Sequence, residues 1–171
     1  MLVADTIFER LKQETDTVYV VAGGGAMFLL DALGRSGFRY VPAIHEEAAG
    51  LMAIGHAMAT NGLGVVLVTS GPGATNVITA CAAAWMDSIP LLILSGQAKT
   101  ETLIGDSGLR TRGVQEISIA PMVKAITKYA IQPKQAIGIM LTLDALINSC
   151  KSGRPGPCWL SIPQDMQGTE I

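Results

Sequence analysis

The chain has 171 residues, of which 49% are hydrophobic and 15% charged, with a formal net charge of −2. This length suits one α/β domain with a real core, and the apolar content excludes a disordered chain. There is no basic run and no interleaving of cations with aromatics, so nucleic-acid binding has no electrostatic support. No uninterrupted apolar run reaches the ~18 residues that suggest a membrane span.

Met1 to Gln13 reads as a charged amphipathic helix and not a signal peptide, with Val3, Ile7, Phe8 and Leu11 at helical spacing. Val18 to Ala22 is a short buried strand stopped by the turn Gly23-Gly24-Gly25, and Ala26 to Leu33 restarts a helix. Tyr40 to Ile44 is a second strand, followed by a helix from Glu46 to Thr60 rich in Ala, Met and Gly. Val65 to Thr69 is a third strand. After the turn Ser70-Gly71-Pro72-Gly73 comes a small-residue helix from Ala74 to Met86. Leu91 to Ser95 is a fourth strand, leading into a polar loop from Gly96 to Gly113 and a short helix over Gln115 to Val123. Lys128 to Ile131 is a fifth strand, Pro133 to Asn148 a helix, and Cys158 to Ile162 a sixth strand behind Gly153-Arg154-Pro155-Gly156-Pro157.

Strands alternating with helices imply a three-layer α/β/α domain with a six-stranded parallel sheet. Right-handed crossovers then place ligands at the carboxyl ends of the strands. Gly23 to Gly25, His45-Glu46-Glu47 and Ser70 to Asn76 all fall at that edge.

Each motif also has a plain structural meaning. The glycine turn does not fit GxGxxG, because Phe28 stands at the last glycine position. It is either a tight strand-to-helix turn or a backbone that a ligand approaches closely. Ser70 to Gly73 lacks the Lys and Ser/Thr of a P-loop. Glu46 and Glu47 at a helix start are ordinarily favourable dipole electrostatics. The apolar segment that follows, Ala48 to Gly55, predicts a buried helix whose leading carboxylates need a partner or a function. His45 and His56 read as core or interface histidines, and no metal-ligating cluster is apparent. Cys81, Cys150 and Cys158 form no CxxC pair and suggest reduced, buried thiols in the cytoplasm. Gln115-Glu116 is a helix start or a functional pair; Lys124 and Lys128 face solvent.

In order the chain carries Ala22-Gly23-Gly24-Gly25, Ala43-Ile44-His45-Glu46-Glu47-Ala48-Ala49-Gly50, Thr69-Ser70-Gly71-Pro72-Gly73-Ala74-Thr75-Asn76, Met86-Asp87-Ser88-Ile89-Pro90, Ser95-Gly96-Gln97, Gln115-Glu116, Ile126-Thr127-Lys128 and Gly153-Arg154-Pro155-Gly156-Pro157. Over essentially its whole length this resembles the N-terminal pyrimidine-binding domain of the acetolactate synthase and pyruvate oxidase family of thiamine-diphosphate enzymes. The resemblance implies that Glu46 holds N1′ of the aminopyrimidine and favours the imino form, whose N4′ takes the proton from C2. The cofactor then decarboxylates a 2-keto acid such as pyruvate and the acyl unit passes to an acceptor. By the same resemblance Ala22, Gly23, Thr69, Pro72, Gly73 and Asn76 border the cofactor with Glu46, while Gly24, Gly25 and Gln115 face substrate. Glu47 is the runner-up for the acid.

Family members bind Mg2+ through a diphosphate-binding domain, and some bind FAD through a middle domain. Neither domain is within these 171 residues. The whole chain, 1–171, is therefore expected to be the first domain of a longer enzyme, with one half of a split enzyme as the alternative. Acetolactate synthases usually carry an aromatic before the Gln-Glu pair, where this chain has Val114. Competing functions are a decarboxylase of the same superfamily and a non-catalytic assembly module that keeps the fold only. The apolar helices from Glu46 and Ala74 predict a homodimer or higher oligomer. The expected partners are further copies, a diphosphate-binding domain and a small 2-keto acid, not nucleic acid or a membrane.

Overall fold

A computed structural model describes residues 1–171. Six strands form one sheet: β1 Thr17–Val20, β2 Arg39–Pro42, β3 Gly64–Val68, β4 Leu91–Gln97, β5 Tyr129–Ile131 and β6 Pro157–Pro163. The spatial order is β2-β1-β3-β4-β6-β5, and every neighbouring pair is parallel. The helices are α1 Val3–Leu11, α2 Met27–Arg35, α3 Glu46–Thr60, α4 Pro72–Asn76, α5 Ile78–Asp87, α6 Ile119–Val123, α7 Ile139–Lys151 and α8 Gln164–Gln167. The expected six-stranded parallel sheet and its helical layers are both present.

The central strands β3, β4 and β6 are buried along their whole length, as their near-continuous apolar runs require. Alternate residues feed two cores. Val65, Leu67, Leu92, Leu94, Leu160 and Ile162 pack on the side of α1, α2 and α7. Val66, Val68, Leu91, Ile93 and Trp159 pack on the side of α3, α5 and α6. Trp159 is fully buried, and its indole Nε1–H donates to Ser95 Oγ at 2.9 Å.

Several elements differ from the sequence reading. The helix after the third strand is two helices, α4 and α5, that meet at Val77. The expected helix at Gln115 begins only at Ile119, because Gln115 has φ +53°, a left-handed backbone that no α-helix accommodates. Likewise α7 starts at Ile139 and not near Pro133, since Gly138 has φ +90°. The expected burial of α3 is only half met. Ala49, Ala53 and Ala57 are buried, whereas Leu51, Met52 and Met58 are exposed. His45 is exposed too; it caps α3, with its Nδ1 accepting from the Glu47 backbone N–H at 3.2 Å. His56 is the more interior histidine, 3.2 Å from Thr15 Oγ1 and edge-on to Tyr19.

Candidate active site

The strand order sets the position of the site. From β1 the chain crosses to β2 on one side and returns to β3 on the other, so a crevice opens between the carboxyl ends of β1 and β3. The first loop carries Gly23 to Gly25 and the second Thr69 to Gly73. Thr69 is the peg between them. Its Oγ1 accepts from the Gly25 backbone N–H at 3.0 Å. A Cβ on Gly23 would stand 2.5 Å from Thr69 Cβ, and one on Gly73 would stand 2.6 Å from Thr69 Cγ2. Only glycine lets both backbones close on this side chain. The glycine turn is also held from below. Gln164 Nε2 donates to the Gly24 carbonyl at 2.9 Å, and Gln167 Nε2 donates to the Gly25 carbonyl at 2.8 Å.

Glu46 is the first residue of α3, delivered to the crevice by β2 and the His45 cap. Its Oε2 accepts from Asn76 Nδ2 at 2.9 Å, which joins the start of α3 to the end of α4. Its Oε1 accepts no hydrogen bond and lies 3.2 Å from where a Cβ on Gly73 would stand. The carboxylate is thus half-buried, oriented through one oxygen and free at the other. Glu47 makes no side-chain hydrogen bond or ion pair. Pro72 opens α4 and is exposed, as is Ala22 beside the crevice.

Gly24, Gly25 and Gln115 share a second space, a cavity of about 430 Å³ also bordered by Ser70, Gln97 and Gln164. That volume lies in the ~300–1,000 Å³ range of small-molecule sites. Gln115 reaches it because its left-handed backbone sits on Gly71, itself at φ +58°; a Cβ on Gly71 would come within 2.2 Å of the Gln115 carbonyl. The expected site residues therefore fall into two adjoining groups. Glu46, Gly73, Asn76, Gly23 and Thr69 gather around the crevice, and Gly24, Gly25 and Gln115 line the cavity.

Glu116 organises the cavity wall, a role the sequence did not disclose. Its carboxylate accepts from the backbone N–H groups of Ile104 at 2.6 Å, Gly113 at 3.0 Å and Arg112 at 3.2 Å. Burial pushes this carboxyl up, but the three backbone donors outweigh it and hold it below the ordinary glutamate value. Gln97, noted only within the motif Ser95-Gly96-Gln97, and Gln164 and Gln167 were given no role. Gln97 is buried and donates to the Ile117 carbonyl at 2.8 Å. A Gln pair three apart behind the last strand is the one local signal for the latter two.

The sequence model of one family, the thiamine pyrophosphate enzyme N-terminal TPP binding domain, matches residues 1–127. The chain belongs to this family. As a TPP enzyme N-terminal domain it is 37% identical over 168 residues to the mitochondrial acetolactate synthase catalytic subunit of Saccharomyces cerevisiae, covering 96% of the chain and 24% of that relative. It is 41% identical over 167 residues to the acetolactate synthase isozyme 3 large subunit of Escherichia coli, covering 97% of the chain and 27% of the relative. The chain spans about a quarter of the length of these relatives. The fold matches the thiamine diphosphate-dependent 4-hydroxybenzoylformate decarboxylase of Rhodococcus jostii RHA1 with a TM-score of 0.87 at 24% identity, over 99% of this chain and 31% of that one. The resemblance read from TSGPGATN and its companions is thereby borne out for both family and fold.

Proposed function

We propose that this domain supplies the pyrimidine half of the thiamine diphosphate site in an acetolactate synthase-like enzyme, with Glu46 as its proton-handling residue. One observation carries the reading. Glu46 is anchored at Oε2 by Asn76 while Oε1 accepts no hydrogen bond and lies beside Gly73. A carboxylate held in this way can present one oxygen to a ring nitrogen in a fixed direction. The cofactor, when bound, supplies the carbanion chemistry that decarboxylates a 2-keto acid and transfers the acyl unit.

The chain's own residues have narrower tasks. Glu46 holds or donates the proton at N1′ of the aminopyrimidine, and Asn76 orients its carboxylate. Thr69 ties the Gly23–Gly25 turn to β3, so that Gly24 and Gly25 border the reacting end. Gln115 faces the same end from the cavity. No group of His, Cys, Asp and Glu side chains is gathered that could hold a metal ion. By the family resemblance, Mg2+ and the diphosphate are assigned to a separate diphosphate-binding domain and FAD to a further one. The outward apolar residues Leu51, Met52 and Met58 of α3 and Trp85 and Met86 of α5 support association with another copy. Three free, buried cysteines support a reducing compartment, the cytoplasm.

The test is Glu46→Gln in the enzyme that contains this domain. General acid–base catalysis contributes about 10²–10⁴-fold, so C2 proton exchange of the cofactor, followed by NMR, and pyruvate consumption should both fall by that order. Glu47→Gln should cost far less. Unchanged exchange in Glu46→Gln, or a larger defect in Glu47→Gln, would place the acid elsewhere.

A further inference from the structure

The cavity beside Gly24 and Gly25 has an unbalanced charge. Its lining includes two cations, Lys99 and Arg112, and not one carboxylate, although acids outnumber cations in the chain by 14 to 12. Neither cation has an ion-pair partner within 4.0 Å. Of the nearby acids, Glu116 lies close enough to Arg112 to feel its charge but makes no ion pair with it. Glu116 is turned into its own loop, where three backbone N–H groups occupy it. Asp165 and Glu101 border a separate, smaller cavity that Lys99 also touches. Asp165 Oδ1 accepts there from the Thr100 backbone N–H at 2.8 Å and Thr100 Oγ1 at 3.1 Å.

We propose that Lys99 and Arg112 form an anion subsite of this cavity, taking a carboxylate or phosphoryl group of the substrate while its reacting carbon lies toward Gly24 and Gly25. The assignment rests on reading that end of the crevice as the reaction centre. A cleft lined by one sign of charge focuses its field and concentrates the opposite charge. The guanidinium presents a planar fork of donors that matches two oxygens of either anion, and the ammonium adds a point charge. Glu116 serves the subsite indirectly. It fixes the backbone of Arg112 and Gly113, so the guanidinium projects from an ordered loop and not a free tail.

The experiment is NMR titration of the ¹⁵N-labelled 171-residue chain at constant ionic strength with pyruvate, inorganic phosphate and the uncharged ester methyl pyruvate. Pyruvate or phosphate should give saturable shifts at the Gly24, Gly25, Gly113 and Gln115 amides, and methyl pyruvate should not. Tighter binding of pyruvate assigns the subsite to a carboxylate; tighter binding of phosphate assigns it to a phosphoryl group. Lys99→Gln and Arg112→Gln should each weaken the anion by about two- to fivefold, the scale of one partly screened charge pair, and the double variant by more. Both residues are exposed, so an unchanged melting curve verifies that the variants fold. Equal shifts from anion and ester, or anion affinity unchanged in the double variant, would overturn the subsite. The Glu46→Gln test in the enzyme that contains this domain separates the two ideas. Absent anion shifts with that test upheld remove the subsite alone, whereas C2 exchange unchanged in Glu46→Gln removes the reading of the crevice itself.

Discussion

Replacing Glu116 by Gln tests whether one side chain orders the wall of the cavity beside Gly24 and Gly25. The carboxylate accepts three backbone N–H bonds, from Ile104, Arg112 and Gly113. A hydrogen bond to a charged group is worth about 1.5–3 kcal/mol. Glutamine keeps one acceptor oxygen but turns an NH2 group, a donor, toward amides that are donors themselves. At least one bond is lost, so local opening should become easier by about 1.5–3 kcal/mol, or roughly 10- to 150-fold. The assay is amide hydrogen exchange. Protection at Ile104, Arg112 and Gly113 should fall by that factor while the β3 and β4 amides keep theirs, since the loop opens without the sheet. The same contact predicts a pH dependence. The folded-state value of Glu116 lies below its ordinary one, so its contribution is fully present above the ordinary glutamate value. It is lost as pH falls through the lowered one. Protection factors at these three amides, corrected for intrinsic exchange, should therefore decline only in acid. Unchanged protection in Glu116→Gln with the fold intact would refute the assigned role.

Gly73→Ala should destabilise the domain by about 1–3 kcal/mol through overpacking against Thr69 Cγ2. Thr69→Ser, which removes that methyl, should recover part of the loss, and additive denaturation midpoints for the pair would argue against the contact. Trp159→Phe strands the buried Ser95 hydroxyl and should cost at least ~1–3 kcal/mol in urea unfolding. Adding Ser95→Ala should relieve part of that cost, and no relief would show that the bond carries little. Burial pushes the Cys81 thiol up to about 12, and all three cysteines are buried. The native chain should therefore react slowly with Ellman's reagent and release three thiols only on unfolding; a fast native phase would contradict the packing.

The sequence by itself determined the layers of this protein. Short apolar runs such as Val65 to Thr69 and Leu91 to Ser95 can satisfy both faces only inside a covered parallel sheet, and glycine turns mark where each ends. It also placed Glu46 at the carboxyl edge, because a helix start must follow the strand that delivers it. What only the tertiary structure decided are contacts between segments distant in the chain. Asn76 meets Glu46 across 30 positions, and Gly25 meets Thr69 across 44. Glu116 looked like a helix start, because local pattern cannot show that Gln115 takes a left-handed backbone against Gly71. The apolar residues of α3 foretold burial, yet the sheet has only one face to offer a helix, and Leu51, Met52 and Met58 remain outside it. Periodicity reports which residues avoid water; it does not report which surface covers them, and that is settled only when the layers meet.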